Sequence, residues 1–352
     1  MIKNKNGGNK NRRIANKLII IFLILIIVII IKIFNIESIF LINKNYRRIF
    51  LCTLYNNEAE MAYIHLWRLY DYIDRFIIMT SNVTYTGIIK NITFKPFEDK
   101  INKYMNKIDI VFFNNICNYT EYPNLNKIWC IEYSQRDYAK TFIENNYKPD
   151  RLDLLIVVDI DEILTKEGIE YIKNNPPNNY YFIKGSIEFP YYYHHLEYCD
   201  KSVVVRYNKN MKTLTKYRQM KITNRKTLKF DYNPSKPLIT HCSYCFKNID
   251  EYKNKLKSYS HQEFNIFPYN TNDWIFKSHY CRIKINSPIV DHDMPYEGWK
   301  HLIPNDERLK YLIDPSFIYD INQTNYTTKD LENLCNISYN RTPFEISLKY
   351  KQ

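Results

Sequence analysis

Glycine is almost missing from this chain, with six residues in 352, against an average usage of about 7%. No Gly-x-Gly-x-x-Gly and no Walker loop occurs, which disfavours dinucleotide and P-loop phosphate cradles, since both need glycine for close backbone approach. Internal repeats are lacking as well, so repeat architectures are set aside. A second Cys-x-x-Cys is absent; Cys242-x-x-Cys245 alone reads as half a zinc site, a redox pair or, preferably, disulfide or buried thiols. No Lys/Arg stripe with interleaved aromatics stands out, although the formal net charge is +13. Seven basic residues lie at or before Lys32, leaving 43 Lys and Arg against 37 Asp and Glu. So diffuse a surplus argues against nucleic acid and is compatible with a basic rim around a diphosphate.

Acidic residues are absent before Glu37, and this gives the N-terminus its meaning. Residues 18–31 are 14 consecutive apolar residues, extended past Lys32 by Ile33 and Phe34 to a span of 17, the lower limit for crossing a bilayer. Lys3, Lys5, Lys10, Arg12, Arg13 and Lys17 precede it. The positive-inside bias then leaves residues 1–17 as a cytosolic tail and 18–34 as a signal anchor of type II topology. A cleaved signal peptide is the competing reading, but Asn35-Ile36-Glu37-Ser38 follows where a small-x-small site is needed. A short stem, 35–46, leads to a lumenal domain over 47–315, and 316–352 form a C-terminal tail. Seven Asn-x-Ser/Thr sequons, at Asn82, Asn91, Asn118, Asn322, Asn325, Asn336 and Asn340, suit that side of the membrane, though a chain so rich in Asn produces some by chance. Eight cysteines facing an oxidising compartment allow up to four disulfides of unreadable connectivity.

The lumenal part reads as α/β with a mainly parallel sheet. Residues 49–55, 75–80 and 108–113 are strand-like. Between the first two, Ala62, Leu66, Leu69 and Ile73 recur at helical spacing, making a βαβ unit. A helix over 127–144 places Trp129, Glu132 and Arg136 on one face, with Glu132 and Arg136 as an i, i+4 ion pair that ordinarily belongs to a surface. The run Leu154-Leu155-Ile156-Val157-Val158 leads straight into Asp159-Ile160-Asp161-Glu162. Such a run is a strand buried on both faces, and ligands lie beyond the carboxyl ends of strands in these sheets. In an extended segment Asp159 and Asp161 point the same way and can offer oxygens to one divalent cation and the phosphates it holds; a solvated strand end is the plain alternative. Further strands are expected over 180–184, 189–193 and 203–207, and a helix carrying Ile249, Tyr252, Leu256 and Tyr259.

Four blocks together resemble glycosyltransferase family 17. They are Asn57-Glu58 with Leu69-Tyr70-Asp71, Ile73-Asp74-Arg75-Phe76 and Thr84-Tyr85-Thr86-Gly87; Trp129-x-x-Glu132-x-x-x-Arg136; Asp159-Ile160-Asp161-Glu162-Ile163; and His241-Cys242-Ser243-x-Cys245-Phe246 followed by Lys255-Leu256-Lys257-Ser258-Tyr259-Ser260-His261. Two departures concern the first helix, with Tyr63 and His65 where acidic and basic residues are usual; another is Leu164, where a proline is usual. The resemblance implies a GT-A-like transferase domain that moves GlcNAc from UDP-GlcNAc, with inversion, to the 4-hydroxyl of a β-mannose in the N-glycan of a glycoprotein, in the Golgi or ER membrane. It implies Mn²⁺ or Mg²⁺ on Asp159 and Asp161. Glu58, Arg136, His241 and His261 are candidates for donor or metal binding. Glu188 is the candidate base, with Glu197 and Asp200 in the same region. A transferase for another sugar or acceptor, a non-catalytic glycan-binding protein, and a metal-free two-carboxylate hydrolase are the rival readings.

Overall fold

The computed structural model describes residues 22–23, 25–26, 29, 46–183, 186–188, 202–219, 238–242, 246, 248–272, 274–275 and 304–312. The chain forms two units, residues 1–47 and 48–352. In the first, Phe22, Leu23, Leu25, Ile26 and Ile29 are helical and exposed. No helix among the described residues is long and apolar enough to cross a membrane; most of the expected anchor, the stem before Tyr46 and the tail over 316–352 lie outside the described residues.

The second unit is mixed α/β around a mostly parallel six-stranded sheet. Its first strand, β1 (Ile49–Leu54), is buried at every position because it is central, with β2 (Arg75–Thr80) on one side and β4 (Leu154–Val157) on the other. Both pairings are parallel, and β3 (Ile108–Phe112) adds in parallel beyond β2. Strands β6 (Tyr180–Phe182) and β8 (Val203–Arg206) complete the order β3-β2-β1-β4-β8-β6, with β8 antiparallel to both of its neighbours. A strand covered on both faces has no polar side to show, which is why β1 and β4 read as unbroken apolar runs.

Helix α1 (Ala59–Leu69) follows a reversal at Asn57, whose φ of 71° is left-handed, a conformation that asparagine tolerates. Helix α2 (Lys127–Tyr147) is capped by Asn126, which accepts from Trp129 N. Ala139 and Ile143 of α2 join Phe50, Cys52, Ile77, Leu155 and Val157 in the core beneath one sheet face. Chain order runs outward from β1 to β3 and then returns across β1 to β4. The switch point of the sheet therefore lies between the carboxyl ends of β1 and β4, where such sheets open a crevice for ligand.

A second, three-stranded sheet takes the order β5-β9-β7, from β5 (Glu162–Leu164), β7 (Ser186–Glu188) and β9 (Ile239–His241). These strands of three residues are too short to show a period, and none was expected from the sequence. Helix α3 (Lys166–Asn174) is capped by Thr165, which accepts from Gly168 N, α4 is the single turn Leu214–Arg218, and α5 (Ile249–Ser258) is capped by Asn248. The expected strand over 189–193 lies outside the described residues. Cys117 and Cys130 form a disulfide, Cys242 is disulfide-bonded too, and Cys52 is a buried free thiol.

Candidate active site at the carboxyl edge of the sheet

Strand β4 ends at Val157, and the two aspartates lie in a turn in which Glu162 N donates to Asp159 O at 2.9 Å. An extended course through both residues was expected and is not found. The turn sends their carboxylates into different ion-pair groups. Asp159 accepts from Arg136 Nη2 on Oδ1 at 2.9 Å and from Arg218 Nη2 on Oδ2 at 2.7 Å. Asp161 accepts from Lys255 Nζ on Oδ2 at 2.8 Å, while its Oδ1 faces His241 Nε2 at 3.7 Å.

The Asp159 group is a buried lattice of charge. Arg136 also donates to Glu132 Oε1 at 2.8 Å; both side chains are buried, so the i, i+4 pair on α2 is part of the interior and not of a solvated face. Arg218, at the end of α4, donates to Glu162 through Nη1 at 2.7 Å and Nη2 at 3.0 Å. Glu162, 1% exposed, further accepts from Ser202 Oγ and from Asp159 N, each at 2.9 Å. Burial works against the charge on Arg136 and Arg218, but the carboxylates overcome it and raise both guanidinium pKa values. Asp159 is thus placed to fix two arginines.

The Asp161 group faces α5. Lys255 also reaches Glu58 Oε1 at 3.7 Å; Glu58, just ahead of α1, accepts from Asn56 N at 2.7 Å. Burial pushes the Asp161 carboxyl upward, and the nearby Lys255 and His241 outweigh it, holding the pKa below the usual aspartate value. Beneath the turn, His65 is buried and stays neutral, its pKa driven down to about 3 by desolvation with help from Arg68. Divalent cations of the Mg²⁺ kind take one or two protein carboxylates and complete their shell with water and substrate phosphate. Asp161 with His241 fits that open arrangement. Among the described residues no group of three or more such ligands converges on one point. Asp159 has each oxygen on a guanidinium, where its sequence suggested a cation shared with Asp161.

Beside these groups a narrow cleft without free internal volume is lined by Tyr55, Asn56, Ser81, Val83, Thr84, Tyr85, Lys90 and Gln135. Tyr85 feels the charges of Glu132, Arg136, Asp159 and Glu58, which sets the cleft against the carboxylate cluster. Lys90 Nζ donates to Asn56 Oδ1 at 2.8 Å and Tyr55 O at 3.2 Å. Burial lowers its pKa to about 8, with Glu58 pulling the other way.

Glu188 and His241 are directly paired across β7 and β9, so register brings the candidate base beside the His241 block. Glu197 and Asp200 lie outside the described residues. His261 is placed elsewhere: its ring meets Trp129 edge-on at 4.5 Å and its Nδ1 is 2.6 Å from Glu263 Oε1. Sequence reasoning passed over Arg218 and Lys90, whose partners are 34 to 59 residues away. Lys255 left a signal, because it lies three residues after Tyr252 and one before Leu256, on the buried side of α5.

The family model for glycosyltransferase family 17 matches residues 38–282, from just before β1 through α5 and beyond. The chain belongs to glycosyltransferase family 17. No curated protein matches it significantly. The family implies a nucleotide-sugar donor and a glycan acceptor, and open α/β sheets take ligands in the crevice outside the carboxyl ends of their strands, at the switch point.

Proposed function

We propose that this glycosyltransferase transfers GlcNAc from UDP-GlcNAc to the 4-hydroxyl of the β-mannose of N-glycans, with inversion and with a GT-A-like use of its sheet. The observation that carries the reading is the position of Asp161 and His241 at the β1/β4 switch point, next to the Tyr55–Lys90 cleft, within a chain of this family. A UDP-sugar would approach along the carboxyl edge of the sheet with its diphosphate toward Asp161. Lys90 and Lys255 supply positive charge along that path, and Arg136 Nε, buried and without an acceptor among the described residues, is a further donor. Mn²⁺ or Mg²⁺ on Asp161 and His241 would neutralise the charge that develops on departing UDP. Asp159 acts through Arg136 and Arg218, whose guanidiniums hold the turn that carries Asp161. A carboxylate has to take the proton of the attacking hydroxyl, and Glu188 is the candidate on register.

The same reading places the enzyme in the Golgi or ER membrane, held by the apolar run at 18–34 with its catalytic part lumenal. Support comes from the basic flank of that run and from the Cys117–Cys130 disulfide. The test is incubation of the full chain, detergent-solubilised, with UDP-GlcNAc, Mn²⁺ and a biantennary N-glycan. One added HexNAc on the core mannose is expected. Transfer only from another UDP-sugar, or only to another glycan, would move the donor or acceptor and leave the transferase.

A further inference from the structure

We propose that Lys255 is a placeholder cation that makes divalent-metal binding at Asp161 depend on the donor's diphosphate. The inference rests on the metal reading above. Lys255 Nζ stands 2.8 Å from Asp161 Oδ2 and 3.7 Å from Glu58 Oε1, bridging a carboxylate of the β4 turn and one ahead of α1. Its side chain is 13% exposed and lies over the Phe246 ring at 5.8 Å. The ammonium therefore already supplies a positive charge at the carboxylate that an incoming metal needs.

The lysine is held there by its helix. Ser258 Oγ accepts from Asn56 Nδ2 at 3.0 Å, and Lys257 O accepts from Thr86 Oγ1 at 2.7 Å, pinning the end of α5 to the loops after β1 and β2. A divalent ion arriving alone meets this like charge at close range in a partly buried site, where screening by solvent is weak. A diphosphate changes the balance, because its oxygens can take the ammonium as the metal takes Asp161. Arg136 and Arg218 do not share the role, because their carboxylate partners are Asp159, Glu132 and Glu162 and not Asp161. Metal and donor then bind with positive coupling, and linkage requires that each strengthen the other by the same factor.

The test uses the full chain in detergent, with Mn²⁺ titrated by the electron-paramagnetic-resonance signal of the free ion, with and without UDP. For the wild-type chain, UDP is expected to tighten Mn²⁺ by about tenfold or more, within the usual range of such couplings. Lys255→Met should bind Mn²⁺ alone about tenfold more tightly than wild type, and UDP should then add less than about threefold. Lys255→Arg keeps the charge and should keep the coupling, with an unchanged thermal transition showing that α5 still docks. If Lys255→Met binds Mn²⁺ alone no better than wild type while UDP tightens it in both, the placeholder role is overturned and the metal site stands. Absence of Mn²⁺ binding in every chain, with or without UDP, overturns the metal reading and the placeholder together.

Discussion

The two aspartates of Asp159-Ile160-Asp161 look equivalent in sequence and are not equivalent in the molecule. Removing Asp159 leaves two buried arginines each short of a partner; because Asp159 is itself a third exposed and each arginine keeps a second carboxylate, the cost falls below the roughly 3–5 kcal/mol of a fully buried pair. Asp159→Ala should therefore lower the thermal transition clearly. Asp161→Asn keeps the shape of the turn and the backbone bond from Cys242 N to Asp161 O, and Lys255 keeps Glu58; with one cation affected and not two, it should lower the transition less than Asp159→Ala and remove transfer. Thermal melts beside UDP release check both, and the reverse pattern would exchange the two roles. Lys90 gives a pH dependence. Its folded pKa of about 8 lies below the lysine value of about 10.4, so the charged form is the one disfavoured by folding. Stability from this group rises as pH increases through about 8 toward the unfolded value, while an anionic donor loses its cation over the same range. KM for the UDP-sugar should climb above about pH 8 in wild type, and Lys90→Arg, which stays charged, should flatten the rise.

At the scale of elements, α3 sets the position of β9. A Cβ on Gly168 would meet Leu238 O at 2.1 Å, and Leu238 O also accepts from Thr165 N at 2.9 Å. Gly168→Ala must push the helix from the start of the strand that ends in His241. A destabilisation of about 1–3 kcal/mol, the usual cost of overpacking, is expected in urea melts, with activity falling although the residue touches no substrate. The parallel half of the sheet was legible because β1, β2 and β4 are long apolar runs; helix α2 was legible from its length and its Trp129, Glu132 and Arg136 face. The strand–turn boundary at Val157 was not, since the apolar run continues through Val158 and nothing local marks the hydrogen bond from Glu162 to Asp159. The β5-β9-β7 sheet also escaped, because its pairing joins residues 75 or more positions apart for β5 and β9. Arg218 is ordinary in its own neighbourhood and acquires meaning only through Asp159 and Glu162.

Over the whole molecule the proposed lumenal placement of the domain is tested at its sequons. The described sequon residues Asn82, Asn91 and Asn118 are all exposed, as acceptors of N-glycans in a lumenal domain must be. Each single Asn→Gln change at these positions should raise gel mobility by one glycan when the chain is made in a secretory host, and an unchanged mobility after deglycosylase treatment would contradict a lumenal domain. The cysteine reading was legible in kind and not in pairing. Cys117–Cys130 ties the start of α2 to the segment before it, thirteen residues away, while the sequence allowed up to four disulfides of unreadable connectivity.

The central claim is that a UDP-sugar is cleaved at the Asp161–His241 edge of the sheet with a divalent cation. The most direct measurement is UDP release from UDP-GlcNAc by the full chain with Mn²⁺, with Mn²⁺ plus EDTA, and by Asp161→Asn. Release should occur with Mn²⁺, stop with EDTA and be lost in Asp161→Asn while the variant still melts cooperatively above the assay temperature. Release that persists in EDTA, or an Asp161→Asn chain with full Mn²⁺-dependent turnover, would contradict the account.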